Sequence, residues 1–204
     1  FDRNFWIWEE HDPSCNYLMV ADVARGDGTD YSVFHIIKLE TLEIIGEYQG
    51  KPTPDLFGNM INQIGREFGD CLVVVENNSI GYAVLEKLVE FGYPNVYYSV
   101  KSTHEYIDQY QAESQTNAVM GFSTTSKTRP LIVAKLEEFI RNELITVNSG
   151  RLINEMRTFI WQYGKPQAMR GYNDDLVMSL AIACWIRDTA LQVNQRSMDY
   201  QRAF

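Results

Sequence analysis

Residues 18–36 read LMVADVARGDGTDYSVFHI. Two apolar runs of strand length flank a turn rich in Gly and Asp, and the way they pair decides the fold. Over YLMVADV (17–23), side chains alternate between faces. Leu18, Val20 and Asp22 fall on one face; Tyr17, Met19, Ala21 and Val23 fall on the other. Asp22 therefore closes a core strand with a carboxylate, and Asp30 opens the run that follows. An unpaired charge is costly beside a core, so the placement calls for a partner.

The neighbouring segments extend this reading. YSVFHIIKL (31–39) and LEIIGEYQ (42–49) predict two strands joined tightly at Glu40 and Thr41. Thr53 and Pro54 mark the start of a helix running to about Phe68, with Leu56, Phe57, Met60, Ile61 and Ile64 as its apolar stripe. CLVVVE (71–76) is almost wholly apolar, as suits a parallel strand covered on both faces. A helix is expected over 80–91, a strand over 95–100, and a polar, partner-facing loop over 101–129. Further helices are expected over 131–142 and 151–161, with a short strand at 144–147 between them. A loop or small hairpin over 164–173 precedes a last helix starting near Asp174. This order predicts an α/β fold, a mixed central sheet flanked by helices.

The 204 residues suit one domain with a real core. The chain does not open on Met, as expected of a piece of a longer protein. It shows neither a signal peptide nor the roughly 20 apolar residues of a membrane span. Three scattered cysteines, Cys15, Cys71 and Cys184, support neither a disulfide framework nor a zinc motif, and fit a reducing compartment. The net charge of −9 argues against tight nucleic-acid binding by this chain alone. It leaves room for carboxylates that hold divalent metal, or for a domain tethered to a DNA-holding partner.

Three acidic placements stand out. Asp22 ends one strand, Glu76 ends CLVVVE, and Asp174 and Asp175 open the last helix in GYNDDLVMSLAIACW. If the two strands are adjacent and parallel, Asp22 and Glu76 meet at one sheet edge, and a helix packed on the sheet brings Asp174 over them. Singly, Asp22 reads as a turn residue and the aspartate pair as helix N-terminal residues. Glu at the end of such an apolar strand is harder to explain that way. Clustered carboxylates raise one another's pKa, and a divalent cation removes the conflict. Oxygen-only ligation suits Mg²⁺ or Mn²⁺, and a pair of such ions can serve phosphodiester hydrolysis.

Other motifs fail. Counting an EF-hand from Asp22 puts Ala24 third and Val33 twelfth, where ligands are required. No GK[ST] follows a strand, and Ser79 sits in no G-x-S-x-G elbow. His11, His35 and His104 are scattered, and none is assigned a catalytic role. Lys101, Lys127, Arg129, Lys165 and Arg170 are candidates for a basic, DNA-binding rim, though each alone reads as solvated surface charge.

VADVARGDGTDYSVFHII, CLVVVENNSIG and GYNDDLVMSLAIA, in that order, resemble the nuclease domain of the large terminase subunit of T-even-type tailed bacteriophages. The resemblance implies an RNase H-like fold of the resolvase and integrase type, with 1–204 as a single nuclease domain. The N-terminal ATPase motor domain of that family would be absent, consistent with the missing Walker motif. The resemblance puts catalytic acids on Asp22, Glu76 and Asp174 and further acidic positions on Asp30 and Asp175. It does not separate Asp174 from Asp175 as the essential ligand. It implies Mg²⁺ or Mn²⁺, two ions, and an endonuclease that cuts concatemeric viral DNA at the start and end of packaging. Implied partners are double-stranded DNA, the portal protein, the small terminase subunit and the motor domain. The implied location is the host-cell cytoplasm, transiently at the prohead portal vertex. Rival readings are a RuvC-like junction resolvase or transposase core, a non-catalytic portal or motor docking module, and an actin-like domain. The last needs a second phosphate loop, and the sequence offers none.

Overall fold

The computed structural model describes residues 3–78, 80–101, 106–107, 112 and 116–187. Its centre is a five-stranded mixed sheet of β1 (Phe5–Ile7), β2 (Tyr17–Asp22), β3 (Ser32–Lys38), β4 (Glu43–Gly50) and β5 (Leu72–Val75), in the order β1-β4-β3-β2-β5. β1, β4, β3 and β2 run antiparallel in turn, and β5 joins β2 in parallel. The expected hairpin between 31–39 and 42–49 is therefore present, as is the expected adjacency of the strands that end in Asp22 and Glu76.

The alternation read from YLMVADV splits the core into two layers. Leu18 and Val20 pack with Leu72 and Val74 beneath α3 (Thr128–Arg141) and the last helix, α5 (175–187). Tyr17, Met19 and Ala21 pack with Val73 and Val75 beneath α1 (Pro54–Glu67) and α2 (Gly81–Glu90). Helices thus cover both faces of the sheet, which is why LVVV of β5 has no polar side. Thr53 occupies the α1 N-cap but makes no side-chain cap bond, and Leu56 of the expected stripe is exposed. Phe57, Ile61 and Ile64 carry the packing.

The helix α5 is buried on every side from Leu176 to Cys184. Its sequence shows no polar stripe because none of its faces meets water there. Ser179 is the exception in composition. Its hydroxyl donates to the Val20 carbonyl (2.9 Å) and lies 3.1 Å from His35 Nδ1. His35 Nε2 reaches Glu47 (3.2 Å), whose other oxygen accepts from Arg151 (2.8 Å). Burial pushes the Glu47 carboxyl up, but His35, Ser149 and Arg151 outweigh burial and hold it below the usual range. This buried polar chain ties α5 to β2 one turn beyond Asp175 and two residues before Asp22.

Three local expectations change. The helix expected over 151–161 is α4 (Gly150–Thr158) and stops where Phe159 begins a hairpin of β9 (Phe159–Gln162) and β10 (Lys165–Ala168). Tyr163 and Gly164 connect the strands with φ of 51° and 75°, the two-residue turn that matches strand twist. The strand expected at 144–147 reduces to one bridge, Thr146 to Glu43. In the polar segment 101–129, residues 102–105, 108–111 and 113–115 lie outside the described residues. Its other residues include β7 (Tyr106–Ile107) and β8 (Ala118–Met120), which flank β6 (Tyr98–Val100), and the first two residues of α3.

Candidate metal centre

Parallel pairing of β2 and β5 sets the register Ala21 to Val75, so the next residues along, Asp22 and Glu76, emerge side by side. The Glu76 N–H donates to the Ala21 carbonyl at 2.8 Å. The chain then turns sharply into α2. A Cβ on Gly81 would stand 1.8 Å from the Glu76 carbonyl oxygen, so only glycine lets the helix start this close. Asn78 donates to Glu76 Oε1 and to the Thr124 carbonyl, both at 3.0 Å, and so orients the Glu76 side chain.

Asp22 and Glu76 come close enough for one carboxyl, protonated, to hydrogen-bond to the other. Burial, repulsion from Glu76 and that hydrogen bond push the Asp22 carboxyl well above its ordinary range, and Asp175 adds to the push. Asp175 is the first residue of α5. Its Oδ2 accepts from the Tyr31 N–H (3.0 Å) and the Asn173 amide (3.1 Å). Burial still raises it to about 6, with Asp30 and Asp174 contributing repulsion.

Asp174 points elsewhere. Its Oδ2 accepts from the Arg129 guanidinium and from the Ala168 N–H (2.9 Å). Arg129 also donates to the Pro166 carbonyl (2.9 Å), so the pair fastens β10 to the start of α5. The structure thus brings Asp22, Glu76 and Asp175 into one electrostatic cluster, while Asp174 forms an ion pair. Asp30 is exposed and lines a polar cavity of about 400 Å³ with Gln162, Arg170, Tyr172, Asp174 and Asp175. Of the five candidate rim cations, Arg170 lines this cavity and Arg129 is engaged by Asp174. Lys101, Lys127 and Lys165 are exposed.

Among the described residues, no three His, Cys, Asp or Glu side chains stand together as a complete metal-ligand group. The donor chemistry nevertheless fits a hard divalent cation. Two touching carboxyls and a third in their field offer oxygen alone, at a cost that positive charge would relieve.

Glu155 of α4 was not singled out in the sequence. An acid on a helix with apolar spacing reads as solvent-facing, yet Glu155 is buried. Burial, then repulsion from Asp175, pushes it up to about 7. Asp22, Asp175 and Glu155 all bind protons more tightly in the folded chain than in the unfolded one. Their contribution to stability is complete below about pH 4 and is lost as pH rises through the folded values, about 6 for Asp175 and about 7 for Glu155, with Asp22 raised in the same direction. At about 1.4 kcal/mol per unit, Glu155 alone corresponds to about 3 kcal/mol. Urea unfolding is expected to show a stability lower by a few kcal/mol at pH 8 than at pH 5.5. Equal midpoints and slopes at the two pH values would contradict the cluster's electrostatics.

No known protein-family model matches the chain. Its fold is similar to solved large-terminase nuclease structures. The nuclease of thermophilic phage G20c, solved with magnesium, matches with a TM-score of 0.68 at 20% identity, over 90% of this chain and 88% of that one. The same nuclease with zinc matches with a TM-score of 0.64 at 21% identity and the same coverage. The Thermus phage P74-26 large-terminase nuclease domain matches with a TM-score of 0.65 at 20% identity, over 88% of this chain and 84% of that one. The mixed sheet with helices on both faces is thus the RNase H-like α/β fold that large-terminase nuclease domains adopt.

Proposed function

We propose that this chain is a divalent-metal-dependent endodeoxyribonuclease, the nuclease domain of a viral genome-packaging terminase. One observation carries the reading: Asp22 and Glu76, delivered by adjacent parallel strands, share a half-buried edge with Asp175 in their field. The similarity in fold to nucleases solved with magnesium, cobalt and zinc supports it.

Asp22, Glu76 and Asp175 would hold the ion or ions, Mg²⁺ or Mn²⁺, with Asp30 at the margin. Bound there, such a cation supplies Lewis acidity toward a phosphodiester and its leaving oxygen. The protein's own residues fix the donors. Asn78 aims Glu76; Tyr31 and Asn173 hold Asp175; and the Arg129–Asp174 pair secures the hairpin beside the polar cavity. Double-stranded DNA is the substrate in this reading. Arg170 stands in the cavity wall, and Lys101, Lys127 and Lys165 serve as exposed candidates for backbone contact. The finer proposal adds an ATPase motor domain, the small terminase subunit and the portal as the assembly that presents concatemeric DNA. It places the protein in the host cytoplasm and, while packaging, at the portal vertex. The T-even assignment rests on the three sequence segments. Among the described residues, no helix is long and apolar enough to cross a membrane.

Supercoiled plasmid is the test substrate. With Mn²⁺ or Mg²⁺ the domain is expected to nick and then linearise it, and with chelator to leave it intact. Metal-independent cleavage, or none with either ion, would overturn the proposal. A preference for four-way junctions over linear duplex would move the reading to a resolvase.

A further inference from the structure

The last helix is capped by a residue that does not belong to it. Asp174 stands at the N-cap of α5, and its carbonyl accepts from the Met178 N–H at 2.8 Å. An N-cap aspartate ordinarily turns its carboxylate onto the N–H groups two and three residues on. Here that carboxylate is committed to Arg129 and Ala168. Glu155, on α4, takes its place. Its Oε2 accepts from the Leu176 N–H (2.9 Å) and the Val177 N–H (3.3 Å). Its Oε1 accepts from the Gln49 amide (2.9 Å) at the end of β4. The exposed N–H groups of a helix start carry a partial positive charge, which compensates a carboxylate held there.

This arrangement has a cost that a cap of purely local importance would not need. A carboxylate is buried and placed within the field of Asp175, when the N-cap's own aspartate was available. What the arrangement provides is a fixed distance. Through Glu155, the first turn of α5 is referenced to α4 and to β4, both on the sheet that carries Asp22. Asp175 precedes the first capped N–H by one residue. Any drift of the helix start moves its carboxylate against Asp22 and Glu76.

We propose that Glu155 is a positioning residue for Asp175, setting where the third carboxylate stands relative to Asp22 and Glu76. The role is separate from ligation, because both Glu155 oxygens are already occupied. The proposal rests on the nuclease reading. Outer partners of metal ligands typically change metal affinity by about 10-fold or more when removed.

Glu155→Ala and Glu155→Gln separate the possibilities. Gln keeps an oxygen for the α5 amides, and a flipped Gln49 can accept from its new NH₂. Calorimetry with Mn²⁺ alone and the Mn²⁺ midpoint of plasmid cleavage are both measured. Glu155→Ala is expected to weaken Mn²⁺ binding and raise the midpoint about 10-fold. Glu155→Gln is expected to remain close to the unsubstituted domain in both. Reversible unfolding by itself divides the apparent affinity by the folded fraction, so that fraction is measured by circular dichroism for each variant and the midpoints are compared after this correction. An unmoved midpoint in Glu155→Ala, or equal displacement in both variants, would overturn the positioning role while the nuclease reading stood. If the unsubstituted domain neither binds Mn²⁺ nor cleaves, the nuclease reading fails and this role falls with it.

Discussion

Asp22→Asn is expected to lose plasmid cleavage by at least about 10³-fold and, at pH 8, to be more stable than the unsubstituted domain by about 1–3 kcal/mol. The two effects share one cause. The Asp22 carboxyl is buried against Glu76 and raised by that burial and by the second carboxylate. An asparagine of the same shape can keep the backbone bond to Val23 through its oxygen and donate to Glu76 through its amide. Repulsion becomes attraction, and the folded state gains. The same change removes a negative oxygen from the place where a cation would need it, so function declines as stability rises. A carboxylate kept for structure would behave in the opposite way: its loss would lower the urea midpoint and leave any cleavage untouched. Plasmid cleavage and urea unfolding, run on one preparation with and without Mg²⁺, read both outcomes. Mg²⁺ is expected to raise the stability of the unsubstituted domain and to have little effect on the variant. An Asp22→Asn domain that is less stable and still cuts would leave the candidate metal centre without its first ligand.

Residues whose position follows from chain periodicity were legible in the sequence; residues whose direction depends on a distant partner were not. Strand alternation in YLMVADV puts Leu18 and Val20 on one face, and the structure finds them in one core layer with Met19 and Ala21 in the other. The unbroken apolar run of CLVVVE gave the parallel neighbour, and with it the meeting of Asp22 and Glu76. Helical spacing over 151–161 was misleading because the period survives to Trp161. What ends α4 at Thr158 is pairing with Lys165–Ala168 across a turn in which Tyr163 adopts a positive φ. Glu155 was invisible for a related reason. Its partners, Gln49 and the amides of Leu176 and Val177, are 106, 21 and 22 residues away. The ARGDGTD turn was read correctly as a turn, yet nothing in it says that the Tyr31 N–H beyond it would hold Asp175.

The aspartate pair makes that limit testable. Asp175→Asn is expected to lose cleavage by at least about 10³-fold with the fold kept or strengthened. Asp174→Asn is expected to lose about 1–3 kcal/mol of stability and only about 10-fold in cleavage. The difference between the two aspartates is electrostatic. Asp175 stands in the field of Asp22, Asp30 and Asp174 and is raised to about 6, so its charge is least costly when a cation joins the cluster. Asp174 already has its cation. The Arg129 guanidinium sits on its Oδ2 while also holding the Pro166 carbonyl. Neutralising Asp174 leaves a half-buried guanidinium without its counter-charge and loosens β10, which forms part of the wall of the polar cavity. Asp174→Asn should therefore unfold at lower urea and cut more slowly at an unchanged Mn²⁺ midpoint, and Arg129→Gln should reproduce this pattern. Asp175→Asn should instead lose the Mn²⁺ dependence along with the activity. If Asp174→Asn proved the inactive variant and Asp175→Asn the merely unstable one, the carboxylate now paired with Arg129 would have to swing into the centre, and the third ligand would be the residue first indicated by the motif.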